Sequence, residues 1–217
     1  MADNILIIAA HSDDQILGAG GTTAKYAKEG STVKTIIFFS GEETHPHFKE
    51  EIIVSTRMDE SLKADKIIGG KGVNFFNYIE KSFKKSYYKE AKKNLEKVII
   101  EFKPEKIFTH SPKDAHPGHR KISNLVLETV DKMDEKIEVY AFDIWNPFRW
   151  DKKKHPRLLV DTSETFSIKT KALKTFKSQF GFYGFINLFA LILMYVKDFL
   201  NGRKYKMKYA EVFYKLR

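Results

Sequence analysis

The run Ile5-Leu6-Ile7-Ile8-Ala9-Ala10 constrains the fold of this chain more than any other segment. Six consecutive apolar residues, half of them β-branched, leave no face for water, so a strand built from them must be covered on both sides. The remainder of the 217 residues supplies the cover. Residues 15–29 read as a helix stopped by Gly30, residues 33–39 as a second strand, and a polar loop then runs as far as His47. A helix over 50–68 closes at Gly69-Gly70. A strand over 73–76, a helix over 88–102, a strand over 106–109 and a helix over 117–133 follow. Later strands fall at 137–142 and 158–160. This alternation predicts an α/β fold with a mostly parallel sheet and helices on both faces. No repeat or boundary interrupts it, so residues 1–217 read as a single domain.

Composition narrows the chemistry open to such a domain. The chain has no cysteine, which excludes disulfides and thiolate metal sites; any transition metal must be held by imidazole and carboxylate groups, which suit zinc. The net charge of +10 comes from lysines spread along the chain, as at Lys84-Lys85, Lys92-Lys93, 152–154 and 204–208. That is the distribution of a solvated surface, and no nucleic-acid partner is expected. An anionic membrane surface or a phosphorylated substrate suits it as well or somewhat better. The opening Met-Ala-Asp-Asn carries no basic region and the apolar run behind it is short, so the expected location is cytoplasmic. Residues 181–196 hold no charge and are rich in Phe, Leu and Ile. They fall short of the roughly 20 residues that a helix needs to cross a bilayer. They read first as an apolar helix packed on the core or on a partner subunit. The second reading is an interfacial segment, helped by Arg203, Lys204 and Lys206.

Two clusters of chemistry-bearing residues stand at strand ends. The first strand runs directly into His11-Ser12-Asp13-Asp14, where an open α/β sheet places its ligands. Either aspartate could cap the helix that follows, but a cap needs only one. Two adjacent carboxylates and an imidazole would be costly to bury without a compensating cation. The second cluster is His110-Ser111-Pro112-Lys113-Asp114-Ala115-His116-Pro117-Gly118-His119, which holds three of the seven histidines. His116 and His119, three apart across a helix start, can face one point, and histidine is both the usual zinc ligand and the usual acid–base group near neutral pH. Gly18-Ala19-Gly20-Gly21 invites comparison with a dinucleotide fingerprint, but Thr23 stands where the third glycine belongs and the acidic tetrapeptide would repel a pyrophosphate. These glycines read instead as sites of close helix approach.

Together these residues resemble the LmbE-like, or PIG-L, zinc deacetylases. The family's Ala-His-Pro-Asp-Asp-Glu…Gly-Gly opening is similar to His11-Ser12-Asp13-Asp14 with Gly18-Ala19-Gly20-Gly21, and its His-Pro-Asp-His to His116-Pro117-Gly118-His119. Arg57 and Glu60 ahead of Ile68-Gly69, Lys171-Ala172, Ser178-Gln179 and Tyr209-Ala210-Glu211-Val212-Phe213 fit in the same order. The resemblance implies a Rossmann-like three-layer α/β fold and removal of an acetyl group from an N-acetylglucosamine-type substrate. It further implies that His11, Asp14 and His119 bind zinc and that Asp13 is the general base toward the attacking water. His116 would stabilise the oxyanion or protonate the leaving amine, and Arg57 would help hold the acyl end. The implied partner is a small N-acetyl sugar or sugar conjugate; the positive charge and the apolar segment, not the resemblance, suggest a lipid, nucleotide or other carrier and residues 181–200 as a contact to a membrane or to a second copy in a homo-oligomer.

Three positions depart from the pattern. Ser12 replaces a proline, Gln15 replaces an acid, and Gly118 replaces the aspartate of His-Pro-Asp-His. The last removes a carboxylate from beside the catalytic groups, with Asp114 as a replacement from the same loop. A sugar–thiol conjugate amidase with the same catalytic set, and a metal-binding protein with weakened catalysis, stand as alternatives.

Overall fold

The computed structural model describes residues 2–41, 50–133, 135–145, 156–180 and 185–217. The end of the polar loop at His47, the lysines at 152–154 and residues 181–184 lie outside the described residues. The first apolar run forms β1 (Asn4–Ala9) and is buried on both sides. Ile5 and Ile7 pack into one hydrophobic cluster, and Leu6, Ile8 and Ala10 into another. The elements that cover it follow in the expected order: α1 (Asp14–Lys28), β2 (Thr32–Phe39), α2 (Glu50–Ile68), β3 (Val73–Tyr78), α3 (Lys85–Phe102), β4 (Lys106–His110), α4 (Pro117–Val130) and β5 (Glu138–Phe142). The chain continues through β6 (Arg157–Asp161), α5 (Phe166–Leu173), α6 (Lys177–Phe180), α7 (Phe185–Lys204) and β7 (Ala210–Lys215).

The seven strands lie in the order β3-β2-β1-β4-β5-β7-β6. β1 to β5 are mutually parallel, while β7 runs antiparallel to both of its neighbours. Leu95 and Ile99 of α3 and Ile122 and Leu125 of α4 cover one face. Leu17 of α1, Ile68 of α2, Leu173 of α5 and Met194 of α7 cover the other. The mostly parallel three-layer sheet is therefore the observed fold, with α5, α6 and β7 added beyond the elements that the periodicity reveals.

Strand order reverses at β1, which has β2 on one side and β4 on the other. In such sheets the crevice at the carboxyl ends of the central strands is where ligands bind. Helix α1 closes tightly over this region because of its glycines. A Cβ at Gly18 would stand 2.4 Å from the Phe142 ring, and one at Gly21 would stand 2.9 Å from Thr162. The close approach expected of the glycines is thus what they provide.

Among the described residues no helix is long and apolar enough to cross a membrane. The charge-free stretch becomes α7, which is not a core helix throughout. Met194 and Asp198 are buried, yet Leu188, Phe189, Ile192, Tyr195, Phe199 and Leu200 are exposed. Only one edge of α7, with Met194 and Leu191, docks on the core, so packing on the core accounts for part of the helix.

Candidate active site

β1 ends one residue before the chain turns through His11-Ser12-Asp13 into α1. Asp13 occupies the N-cap position but makes no side-chain capping bond, so capping does not account for it. Asp14, in the first helical turn, is the hub of the site. Its Oδ2 accepts the His11 backbone N–H at 2.8 Å. The same oxygen lies 3.1 Å from His11 Nδ1, 3.2 Å from His119 Nε2 and 3.3 Å from His110 Nε2. The rings of His11 and His119, more than a hundred positions apart in sequence, have centroids 5.4 Å apart.

The second cluster is built from the end of β4 and the start of α4. Pro117 opens α4, where its missing N–H costs nothing, and His116 is the N-cap, its Nδ1 accepting the Gly118 N–H at 3.1 Å. This turns the Nε2 edge of His116 away from the helix. His119 is fully buried one turn in, with Nδ1 3.1 Å from Asp114 Oδ1. Asp114 also accepts from the backbone N–H of His116 at 2.9 Å and of Ile144 at 3.1 Å, so it stiffens the loop as well as the ring. Arg57 lies 3% exposed in α2, its Nη1 directed at the Gly41 carbonyl, and its charge acts on Asp13. Glu60, one turn on, accepts from Ser178 N–H at 2.8 Å and Ser178 O–H at 2.6 Å. Gln15 donates to the Ser12 carbonyl and to Ser61 Oγ, bracing the loop without adding charge.

Sequence reasoning left two contributors unassigned. His110 closes β4, and its Nε2 accepts the Ala10 N–H at 2.9 Å, tying the ends of β1 and β4 together. Its ring stacks on His119 at 3.9 Å. In the sequence it is visible only as one of three clustered histidines. Glu80, just past β3, sets Oε2 2.8 Å from His11 Nε2 and Oε1 3.9 Å from His116 Nδ1. A lone glutamate forms no motif; its sole sequence signal is its place after a parallel strand.

The electrostatics follow from burial set against charge. Burial and the neighbouring Asp14 raise Asp13 above the usual carboxylate range, against the pull of Arg57 and His11. Burial acts on Asp14 too, but the charges of His119 and His110 outweigh it and hold Asp14 well below that range. Burial opposes protonation of His119, yet Asp14 and Asp114 together lift it to about 10. Burial drives His110 down to about 4. The pocket thus demands positive charge at the centre of its carboxylates.

That demand can be met by a metal ion. Both ring nitrogens of His119 are buried with no hydrogen-bond partner among the described residues, Nε2 lying 3.2 Å from Asp14 Oδ2 and Nδ1 3.1 Å from Asp114 Oδ1. Donor atoms at such spacing match the edge, roughly 3.3 Å, of a tetrahedron with bonds of about 2.0–2.1 Å. His11, His116 and His119 each bring a donor atom within 4.8 Å of the others, as do Asp14, His110 and His119. His110 is the poorer ligand of the second group because its Nε2 already accepts the Ala10 N–H.

A family model described as PIG-L, GlcNAc-PI de-N-acetylase, matches residues 6–130. The chain belongs to this family. The matched span contains both strand-end clusters and Glu80, and membership makes the chain one of a family of amide-bond hydrolases. A diacetylchitobiose deacetylase of Thermococcus kodakarensis is 24% identical over 190 residues, 81% of this chain and 70% of the relative. Among solved structures, the N,N'-diacetylchitobiose deacetylase of Pyrococcus horikoshii superposes with a TM-score of 0.83 at 21% identity, covering 99% of this chain and 84% of that one. The 4-carboxy-2-hydroxymuconate hydratase GalB of Pseudomonas putida superposes with a TM-score of 0.82, also at 21% identity, covering 99% of this chain and 96% of that one. Both structures share the PIG-L chain's fold, and a hydratase among them means that fold alone does not select the reaction.

Proposed function

We propose that this PIG-L family member is a zinc-dependent N-deacetylase acting on an N-acetylglucosamine-type sugar. His11, Asp14 and His119 hold the metal, Asp13 is the general base and returns the proton to the leaving amine, His116 stabilises the oxyanion, and Arg57 orients the acyl end. The observation that carries the reading is the approach of His11 Nδ1 and His119 Nε2 to the same Asp14 oxygen, at 3.1 and 3.2 Å. The diacetylchitobiose deacetylase relative supports a sugar amide as the substrate class.

When bound, the cation supplies Lewis acidity, lowering the pKa of a neighbouring water and polarising the amide carbonyl. The side chains do the rest. Asp13 takes a proton from water as the water oxygen bonds to the acetyl carbon. His116, whose Nδ1 accepts the Gly118 N–H, presents its Nε2–H to the developing oxyanion, and Asp13 passes the proton it took from water on to the departing nitrogen. The carbon–nitrogen bond breaks, and acetate and the free amine leave. Arg57, almost wholly buried, is held in place to bear on Asp13 and the acyl oxygen.

The exposed stripe of α7 supports an anionic lipid surface as the place where a lipid-carried substrate is met. Lys174, Lys177, Arg203 and Lys204 are exposed near it, and the one acid in α7, Asp198, is turned into the core.

Acetate release from a panel of N-acetylated amino sugars, with zinc restored, tests the reaction. Wild type releases acetate; Asp13→Asn keeps its zinc and loses about 10²–10⁴-fold in rate. Equal, negligible release by both proteins on every sugar overturns the enzyme reading.

A further inference from the structure

Residue 118 has no side chain, and the space above it is filled from elsewhere. A Cβ built on Gly118 would stand 2.2 Å from Glu80 Oε1 and 2.9 Å from Glu80 Cδ. One carboxylate fits there, and in this chain it arrives from the end of β3 rather than from the start of α4. We infer that Glu80 is the positioning residue for His11, supplying from position 80 the carboxylate that His116-Pro117-Gly118-His119 lacks.

The geometry around the two outer histidines supports this. His11 turns Nδ1 to Asp14 and Nε2 to Glu80, at 3.1 and 2.8 Å. His119 turns Nε2 to Asp14 and Nδ1 to Asp114, at 3.2 and 3.1 Å. Each imidazole therefore has one nitrogen facing the shared Asp14 oxygen and the other facing a carboxylate, through a hydrogen bond at His11 and at ion-pair distance at His119. Such backing fixes the tautomer and ring plane and makes the inward nitrogen a better donor to a cation. Asp114 cannot serve both rings, because its oxygens already face His119 and accept from the backbone at His116 and Ile144. Without Glu80 the His11 ring would keep Asp14 alone and could rotate or change tautomer. The same carboxylate, 3.9 Å from His116 Nδ1, also places negative charge beside that ring.

This inference rests on the metal-site reading above, so its test separates the two. Zinc affinity is measured by competition with a chromophoric chelator, in the absence of substrate, for wild type, Glu80→Gln, Glu80→Ala, Gly118→Asp and the double variant Glu80→Ala/Gly118→Asp. Turnover on the best N-acetyl sugar is measured beside it, and thermal melting confirms that each protein folds. Removing Glu80 is expected to lower zinc affinity by about 10–100-fold and to reduce kcat more than it changes KM. Gly118→Asp alone is expected to weaken binding, since two carboxylates then compete for one space. The double variant should recover most of the affinity, because the carboxylate now reaches the same place from α4. Wild-type affinity and kcat in Glu80→Ala overturn the inference, as does a double variant no better than Glu80→Ala. A wild-type protein that binds zinc without releasing acetate overturns the deacetylase reading, and the affinity series then decides on Glu80 by itself.

Discussion

Asp65 isolates what burial does to a carboxylate away from the site. It is 6% exposed near the end of α2, and its Oδ2 accepts the Gly72 N–H at 3.0 Å. Desolvation pushes its pKa up to about 6, against a smaller pull from that hydrogen bond. The folded state therefore binds a proton more tightly than the unfolded chain, whose value is near 3.9. The stabilisation from protonated Asp65 is complete below the unfolded value and is lost as pH rises through about 6. Asp65→Asn keeps an acceptor for Gly72 without the charge. Denaturant melts between pH 4 and 7 should show this contribution, at most about 1.4 kcal/mol per pH unit, in wild type and not in the variant. Equal slopes in both would mean that Asp65 ionises as readily when folded. His110 poses the opposite problem, a neutral buried ring that satisfies a backbone donor. His110→Phe strands the Ala10 N–H and should cost about 1–3 kcal/mol in urea unfolding.

At the scale of elements, α7 shows how a composition and a role can differ. Its lack of charge over 185–196 reads as core, but its exposed residues recur at helical spacing: Leu188, Ile192, Tyr195 and Phe199 on one line, Phe189, Val196 and Leu200 beside it. A groove of about 660 Å³ between α5 and α7 continues the apolar surface, with Lys174 and Lys177 along its lining. Wild type should sediment with vesicles containing phosphatidylserine and stay in solution with phosphatidylcholine alone. Phe189→Ser/Phe199→Ser should abolish sedimentation at nearly unchanged Tm, because both side chains are exposed. A wild type that ignores both vesicles but dissociates from dimer to monomer on these substitutions would assign the stripe to a second copy instead. Some earlier elements followed local pattern closely. α2 is found over Glu50–Ile68 as read, and β4 gains only His110.

At the scale of the whole molecule, a buried ion triad joins the late elements to the first helix. Lys169 of α5 donates to Asp198 of α7 and Glu211 of β7, both at 2.6 Å, and Glu211 accepts from the Gly21 and Thr22 N–H groups of α1. Burial works against the ammonium, but the two carboxylates outweigh it and raise Lys169. Lys169→Met leaves both acids unpaired, so it should destabilise by about 3–5 kcal/mol, or roughly 6–20 °C in Tm at 2–4 °C per kcal/mol. A drop of a degree or two would show that the triad contributes little.

From its residues alone the chain determined the alternation of strand and helix, the double-sided burial of β1 and the two polar clusters at strand ends. Each of these is written in contiguous residues, as a period, a run or a motif. Only the tertiary structure decided that β7 inserts antiparallel between β5 and β6, that Lys169 finds two acids, and that Glu80 stands over Gly118 against His11. Those pairings join positions 29 to 75 residues apart, and no local preference of either partner encodes them. They exist because packing the sheet brings strand ends and helix starts into one crevice, where a carboxylate from any neighbouring element can fill the space that a glycine leaves open.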